Sequence, residues 1–394
     1  MATSWLLRPS LALISILTRS KSALLDADKN PIMNRVLRWS LYNHFCAGTN
    51  SVEVSQVVKD VKKLGFHGVI LGYAKEVVLD NPAGEQVHSD GAKYGPAHYK
   101  MIQEWKQGNL ETLGMLDVGD FIALKVTGAG PVALDAMKGH QPMPEQVENA
   151  LDEICNTARE KGCRVWFDAE QQALQPTLDE WCIAMMRKHN RGGEALLFNT
   201  IQGYLKGAKA NAERHITLAA KEGWTVAIKL VRGAYIENEV RSLIHGTKED
   251  TDRSYNSIAD MFLSRRMPEA VKDLPFPNAA LFLATHNAES VDKALETHKA
   301  RVLAGLPTTA FECAQILGMA DELSCKLLQE YEKAASDPKL RDTFPRIHKA
   351  IPWGSVQECI GYLYRRAVEN KGAVERTQHM AEAMRKEVRR RVLG

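Results

Sequence analysis

The 394-residue chain has no long apolar run, no strong excess of one charge and no paired cysteines. Its apolar stretches are far shorter than the ~20 residues a helix needs to cross a bilayer. Fifty-one Lys and Arg against 48 Asp and Glu leave a formal net charge of +3, so no global field draws the protein to nucleic acid. The seven cysteines (Cys46, Cys155, Cys163, Cys182, Cys313, Cys325 and Cys359) are odd in number, and none sits in a Cys-x-x-Cys pair. They read as reduced thiols, not as a disulfide framework. There is no His-Glu-x-x-His and no cysteine–histidine cluster, so no metal site is expected. Acid is missing from the first 25 positions, where Arg8, Arg19, Lys21 and several serines alternate with Leu, Ile and Ala. That pattern fits a mitochondrial transit segment. The alternative is an apolar first helix, beginning near Leu6, that packs on the body of the fold.

What is present is the composition of a folded soluble protein, 45% hydrophobic and 25% charged. Apolar, strand-like runs recur at 66–73, 120–128, 163–170, 195–204, 224–235, 280–287 and 308–318, with a short one at 349–355. Gly, Pro, Asn or Asp bounds each run. Helical period fills most of the gaps. In "PEQVENALDEICNTAREKG" Val147, Leu151, Ile154 and Ala158 share one face, and Gly162 marks the stop. Strands alternating with helices build a parallel sheet, and eight such units fit a closed (β/α)8 barrel. No Gly-x-Gly-x-x-Gly follows the first strand, which weakens the competing open Rossmann sheet. Residues 80–118 are expected to be an insertion of helix and loop. The chain divides into a targeting-like or helical N-terminal segment (1–45), a catalytic barrel (46–376) and a basic C-terminal helix (377–394).

In a barrel the C-terminal strand ends carry the chemistry. Here consecutive strands deliver polar groups at that end: Lys125, then Asp168 and Glu170, then Gln202, then Lys229, Arg232 and Tyr235, then Thr285, His286 and Asn287. A lysine inside a buried strand is costly unless paired or used. An interior salt bridge such as Lys229 with Asp168 accounts for one such residue alone, but barrel interiors are otherwise filled by branched apolar side chains. His286 taken singly reads equally well as a satisfied core histidine.

"GYLYRRAVEN" follows the eighth strand. Tyr362, Arg365, Arg366 and Glu369 stand at i, i+3, i+4 and i+7, on one helical face near the barrel mouth. Two guanidiniums there offer forked donors to a carboxylate or phosphate. Elsewhere such a pair would be read as a solvated helix with an Arg–Glu contact.

Together "ALKVTG", "FDAE", "KLVRGAYIENE", "LATHN", "LGMADELS" and "YLYRRAVEN" resemble the proline dehydrogenase family in its eukaryotic form, in the family's order and over about residues 45–375. The resemblance implies a distorted (β/α)8 barrel that binds FAD without a Rossmann fold. It implies oxidation of L-proline to 1-pyrroline-5-carboxylate by hydride transfer to the flavin. It also implies a quinone acceptor and a place at the mitochondrial inner membrane, peripheral on the matrix side. Carried over motif by motif, Arg365 and Arg366 would grip the substrate carboxylate, with Lys125 adding charge. Tyr362 and Tyr235 would pack on the ring, Ile316 would form an apolar wall and Asp168 would order the site. Lys229 would lie at the reactive edge of the flavin and Gln202 against its ring. Gly233, Ala234, Thr285, His286 and Asn287 fall where the family touches FAD.

One position departs from the family, which has a tyrosine two residues before the proline of the strand-eight motif. "KAIPWG" has Ala350 there, and Trp353 where a small or aromatic residue is common. The lost ring opens the pocket wall, which fits either a larger or hydroxylated ring such as 4-hydroxyproline or simply a lower affinity for proline, the first expected substrate. Two other classes remain as alternatives: a lyase using Lys229 as a Schiff-base amine, and a binding barrel without turnover. Arg385, Lys386, Arg389, Arg390 and Arg391 near the C-terminus form either a solvated basic helix end or a contact with an anionic membrane.

Overall fold

Each of the eight runs forms a strand: β1 (Gly68–Tyr73), β2 (Phe121–Leu124), β3 (Arg164–Phe167), β4 (Leu197–Gln202), β5 (Val226–Val231), β6 (Ala279–Ala284), β7 (Phe311–Ile316) and β8 (Arg346–Trp353). All pairs are parallel, in chain order, and β8 closes on β1 with Gly68 opposite His348 and Tyr73 opposite Trp353. The result is an α/β barrel of the TIM type. The computed structural model describes residues 4–20, 22, 24–74, 94–236, 239–369, 389 and 391. The insertion after β1 contains the helix Pro96–Gly114, while residues 75–93 lie outside the described set.

The helix Glu145–Glu160 shows why the pattern reads as it does. Val147, Leu151, Ile154 and Ala158 are buried on one side, Glu145 and Glu148 occupy the first turn, and Gly162 just past the end has φ +67°. That left-handed conformation favours glycine.

Alternation along the strands divides the side chains into two cores. Outward residues join the helices in one large cluster. Inward residues form a smaller one of Ile70, Phe121, Trp166, Phe198, Ala227, Phe282 and Ala314. Its rings meet edge-on or tilted, with Trp166 and Phe282 centroids 4.6 Å apart and Phe121 and Trp166 5.2 Å apart. Aromatics filled out by alanines replace the branched aliphatic filling expected of such barrels.

Two sequence expectations are corrected here. The second strand stops at Leu124, and Val126–Ala129 is a 3-10 turn, so Lys125 stands at the strand end itself. The eighth strand is not short: it begins at Arg346 and runs eight residues. Its first half, "RIHK", is polar because His348 points into the barrel floor, where its Nε2 meets Glu312 Oε2 at 2.6 Å. Arg164 grips the same carboxylate through Nη1 and, at 2.8 Å, through Nη2, while its guanidinium lies 3.9 Å above the Phe121 ring. Burial disfavours an ionised Glu312, but His348 and Arg164 outweigh it and hold the carboxyl at about 2.

A group with a depressed folded-state pKa contributes stability fully above its ordinary value, 4.5 here, and loses it as pH falls toward about 2. Glu312→Gln should therefore cost about 3–5 kcal/mol near neutrality, because it strands a buried guanidinium. It should also flatten the acid limb of stability. Urea midpoints measured from pH 7 to pH 3 test both expectations.

The described helices of the N-terminal segment pack on the body of the fold. The helix Ser4–Arg19 and the helical stretch from Pro31 to Phe45 pack against the helix Val356–Glu369, which carries the arginine pair. Leu17, Leu37, Tyr42 and Cys46 share a core with Val356, Cys359, Ile360 and Leu363. Gln357 clasps this arm: its Nε2 donates to Leu17 O at 3.0 Å and its Oε1 accepts from the Ala27 N–H at 3.0 Å. Tyr42 adds a 2.7 Å bond from its hydroxyl to Gly354 O. The packing of a first apolar helix on the body, one of the two sequence readings, is what the fold contains. In the basic C-terminal segment Arg389 and Arg391 are helical and exposed, and Arg385, Lys386 and Arg390 lie outside the described residues.

Candidate active site

The barrel mouth gathers the Asp168 carboxylate and several cations. Lys229, on β5, points inward past the Trp166 ring, with Nζ 4.5 Å from its centroid and 2.5 Å from Asp168 Oδ1. Lys125 approaches the other oxygen, Oδ2, at 3.3 Å. Asp168 thus bridges two ammoniums, one from the end of β2 and one from within β5 across the barrel. Burial raises the cost of its charge, yet Lys229 and Lys125 outweigh that and hold it at about 2. Lys229 is pushed below its ordinary value by burial, which Asp168 opposes and which Lys125 and Arg366 reinforce.

Arg366 is half-buried, and its charge adds to the lowering of Lys229 and His286, which desolvation leads. Its Cζ sits 5.3 Å from the Tyr362 ring centroid, one helical turn back, which orients the fork. Arg365 is half-buried on the same helix. Glu369 ends that helix, and its side chain lies outside the described residues.

His286 is half-buried, and desolvation, to which Lys349 and Arg366 add, lowers its pKa to about 4. The ring is neutral at physiological pH, and its Nε2 accepts the Ile316 N–H at 3.1 Å. Ile316 is also the register partner of Ala350 on β8. The two residues expected to line the pocket are therefore neighbours across one strand pair, at the top of the barrel.

Several expected contacts are committed to the scaffold. Gln202 Oε1 accepts the Ala234 N–H at 3.0 Å, and its Nε2 donates to Glu170 O at 3.3 Å. The Tyr235 hydroxyl donates to Ala169 O at 3.1 Å, which anchors the ring beside Asp168. Asn287 caps the helix Ala288–Leu303 by accepting the Ser290 N–H at 3.0 Å. Gly233 has φ +154°, and a Cβ there would fall 2.4 Å from the Tyr204 ring, so no other residue fits.

Three contributors carried no expected role: Arg232 and Glu170 stood out only as polar strand-end groups, and Trp166 not at all. Arg232 donates to Thr285 Oγ1 at 2.7 Å, to Ser290 Oγ at 2.8 Å and to Asp252 Oδ1. Its position at the end of β5 was the available signal. Trp166, two residues before Asp168 and so on the same side of β3, is the floor under Lys229. Glu170 ties loops together by accepting from Thr127 Oγ1 at 2.9 Å, a role that only tertiary contact discloses.

The donor set fits a flavin dinucleotide. Arg232, the Thr285 hydroxyl and a capped helix N-terminus meet at one side of the mouth, and such donors suit phosphate. Ala123, the register partner of Trp166, and Ala350 are small inward positions packed on the inner core.

Comparison with known proteins identifies the family. The sequence model of the family "Proline dehydrogenase" matches residues 54–379. The chain is 33% identical over 256 residues to "Proline dehydrogenase 1, mitochondrial" of Caenorhabditis elegans, covering 64% of this chain and 39% of that protein. It is 27% identical over 409 residues to "Probable proline dehydrogenase, mitochondrial" of Schizosaccharomyces pombe, covering 92% and 81%. It is also 27% identical to "Hydroxyproline dehydrogenase" of Bos taurus, covering 91% and 82%. Among solved structures, proline utilization A of Bdellovibrio bacteriovorus shares the fold with a TM-score of 0.68 at 16% identity, covering 93% of this chain and 38% of that one. The chain therefore spans well under half the length of the nematode relative and of that solved structure. On the match across its barrel, the chain belongs to the proline dehydrogenase family.

Proposed function

We propose that the protein oxidises L-proline to 1-pyrroline-5-carboxylate with FAD as cofactor, passes the electrons to a quinone, and works peripherally on the matrix side of the mitochondrial inner membrane. The observation that supports this reading is the Lys125–Asp168–Lys229 cluster at the barrel mouth, where the charge of Arg366 adds to the lowering of Lys229. Arg232, Gly233, Ala234, Gln202, Lys229, Thr285, His286 and Asn287 would hold the cofactor. Bound FAD supplies the two-electron acceptor that no side chain provides.

The protein's own groups do the rest. Arg365 and Arg366 bind the carboxylate by forked donors and leave the ring nitrogen unclasped, so its lone pair stays available. Holding the substrate by its carboxylate fixes its orientation. Asp168, ionised above about 2, gives up no proton near neutrality; it fixes Lys125 and Lys229. Tyr362, Tyr235, Ile316 and Ala350 would surround the ring. A yellow protein whose flavin absorbance bleaches with proline tests the reading; a colourless protein unable to take up FAD would remove it. Borohydride trapping of substrate on Lys229 would instead support a Schiff-base lyase.

A second substrate is favoured by Ala350 and by the likeness to a relative named hydroxyproline dehydrogenase. Ala350 faces the mouth beside Ile316 without a ring or hydroxyl. Ala350→Tyr should cut the turnover ratio of 4-hydroxyproline to proline about tenfold, the effect of about 1.4 kcal/mol of lost room. Dye-linked rates with both substrates measure it, and an unchanged ratio would remove Ala350 as the determinant.

A further inference from the structure

The inner face of the N-terminal arm is occupied by the arginine helix; its outer face has a different character. Ile32, Val36 and Trp39 are 76%, 52% and 86% exposed, and they stand at i, i+4 and i+7 along the helical stretch from Pro31 to Phe45. Leu13 and Ile16, one turn apart on the first helix, are 59% and 58% exposed, and Leu24 between the helices is exposed too. No other stretch of similar length among the described residues exposes as many large apolar side chains. Leu37 and Tyr42, on the opposite side of the same helical stretch, are buried, so the stripe belongs to an amphipathic element and not to an unfolded one.

Charge tells what such a face suits. Before Glu53 the only acids are Asp26 and Asp28. Asp26 pairs with Lys29 at 2.8 Å, and Asp28 Oδ1 accepts the Gln357 N–H at 3.3 Å. Arg8, Arg19, Lys21, Lys29, Arg35 and Arg38 fall in the same interval of sequence; Lys29 pairs with Asp26 and Arg38 with Glu53 at 2.5 Å, while exposed Arg35 lies within the apolar stripe itself. An apolar face with an outward tryptophan and flanking cations matches the interface of an anionic bilayer, where indole sits at the headgroup level and basic side chains meet phosphate. No helix among the described residues is long and apolar enough to cross a membrane.

We infer that the outer face of this arm, Leu13, Ile16, Leu24, Ile32, Val36 and Trp39, docks on an anionic phospholipid surface and lies in the interface without spanning it. This rests on the membrane contact proposed above and moves it from the basic C-terminus to the arm. Because the inner face of the arm shares a core with the arginine helix, docking sets the lipid surface one helical layer from the barrel mouth.

Flotation of the full-length, FAD-loaded protein with phosphatidylcholine vesicles, with and without phosphatidylglycerol, tests the assignment. Wild type should float with the anionic vesicles only, with a blue shift in tryptophan emission. The double variant Ile32→Glu/Trp39→Glu should bind at least tenfold more weakly while keeping its dye-linked turnover. Arg35→Glu, which leaves the apolar stripe intact, should bind only at lower salt. A chain truncated at Glu382 should float like wild type. Equal flotation of wild type and the double variant overturns the inference. Loss of binding on truncation alone also overturns it and leaves the membrane contact at the C-terminus. If wild type binds no vesicles, both readings fall. Self-association abolished by the double variant, without vesicle binding, would make the face a contact between copies and overturn the inference as well.

Discussion

Arg366→Met should raise the half-saturating concentration of proline about 30-fold to 4,000-fold while the purified protein keeps its flavin. The range corresponds to about 2–5 kcal/mol, the cost of removing one partner from a desolvated charge pair. Methionine keeps most of the stem and its contact with Tyr362, so the change isolates the guanidinium. The variant carries an internal control. Arg366 helps to depress both Lys229 and His286, so its removal should raise the His286 pKa from about 4 toward the ordinary 6.5. An NMR titration of the imidazole reads that directly. Loss of saturation together with this shift places the guanidinium at the mouth. An unchanged half-saturation concentration removes it from carboxylate binding, whatever the titration shows.

Asp168→Asn should reduce both stability and turnover. The carboxylate is the shared counter-charge of Lys125 and Lys229, and asparagine keeps its shape without its charge. Stranding two ammoniums in a buried site should cost about 3–5 kcal/mol of folding stability. The pH dependence follows from the direction of each shift. In the native protein Asp168 is ionised above about 2, so it adds no limb to the profile between pH 5 and 9. Asp168 raises the pKa of Lys229 against the desolvation that lowers it. Without the carboxylate, Lys229 loses its proton at lower pH, and the basic limb of kcat/KM should move in the acid direction. Urea unfolding and a dye-linked pH profile measure the two effects separately. A profile and a midpoint that both coincide with wild type would show that the bridge is inconsequential.

The residues at these positions were open to reading before any contact was known. Lys125, Asp168, Gln202, Lys229 and the Thr285–Asn287 turn stand at the ends of apolar runs, and period-2 alternation aims Lys229 inward beside Ile228 and Leu230. Other features escaped for a physical reason. Strand β8 begins with Arg346, His348 and Lys349, which no apolar pattern picks out. His348 is tolerated inside because Glu312 comes from β7 and Arg164 from β3, and Lys349 is tolerated outside because Asp321 and the Phe66 ring receive it. Sequence distance hides those partners. Arg232 was visible as a strand-end cation, but its fork onto Asp252, Thr285 and Ser290 requires the helices after β5 and β6 to be in place.

The amino-acid order by itself determined the eight-unit parallel barrel, the family and the arginine face, because hydrophobic period and turn residues act over a few neighbours and survive without tertiary context. The tertiary structure alone decided what compensates each buried charge: Asp168 between two lysines, Glu312 between a histidine and an arginine. It alone decided, too, that the N-terminal arm leans on the arginine helix through Gln357. The reason in each case is that desolvation is offset only by a partner in space, and those partners lie tens to hundreds of residues apart along the chain.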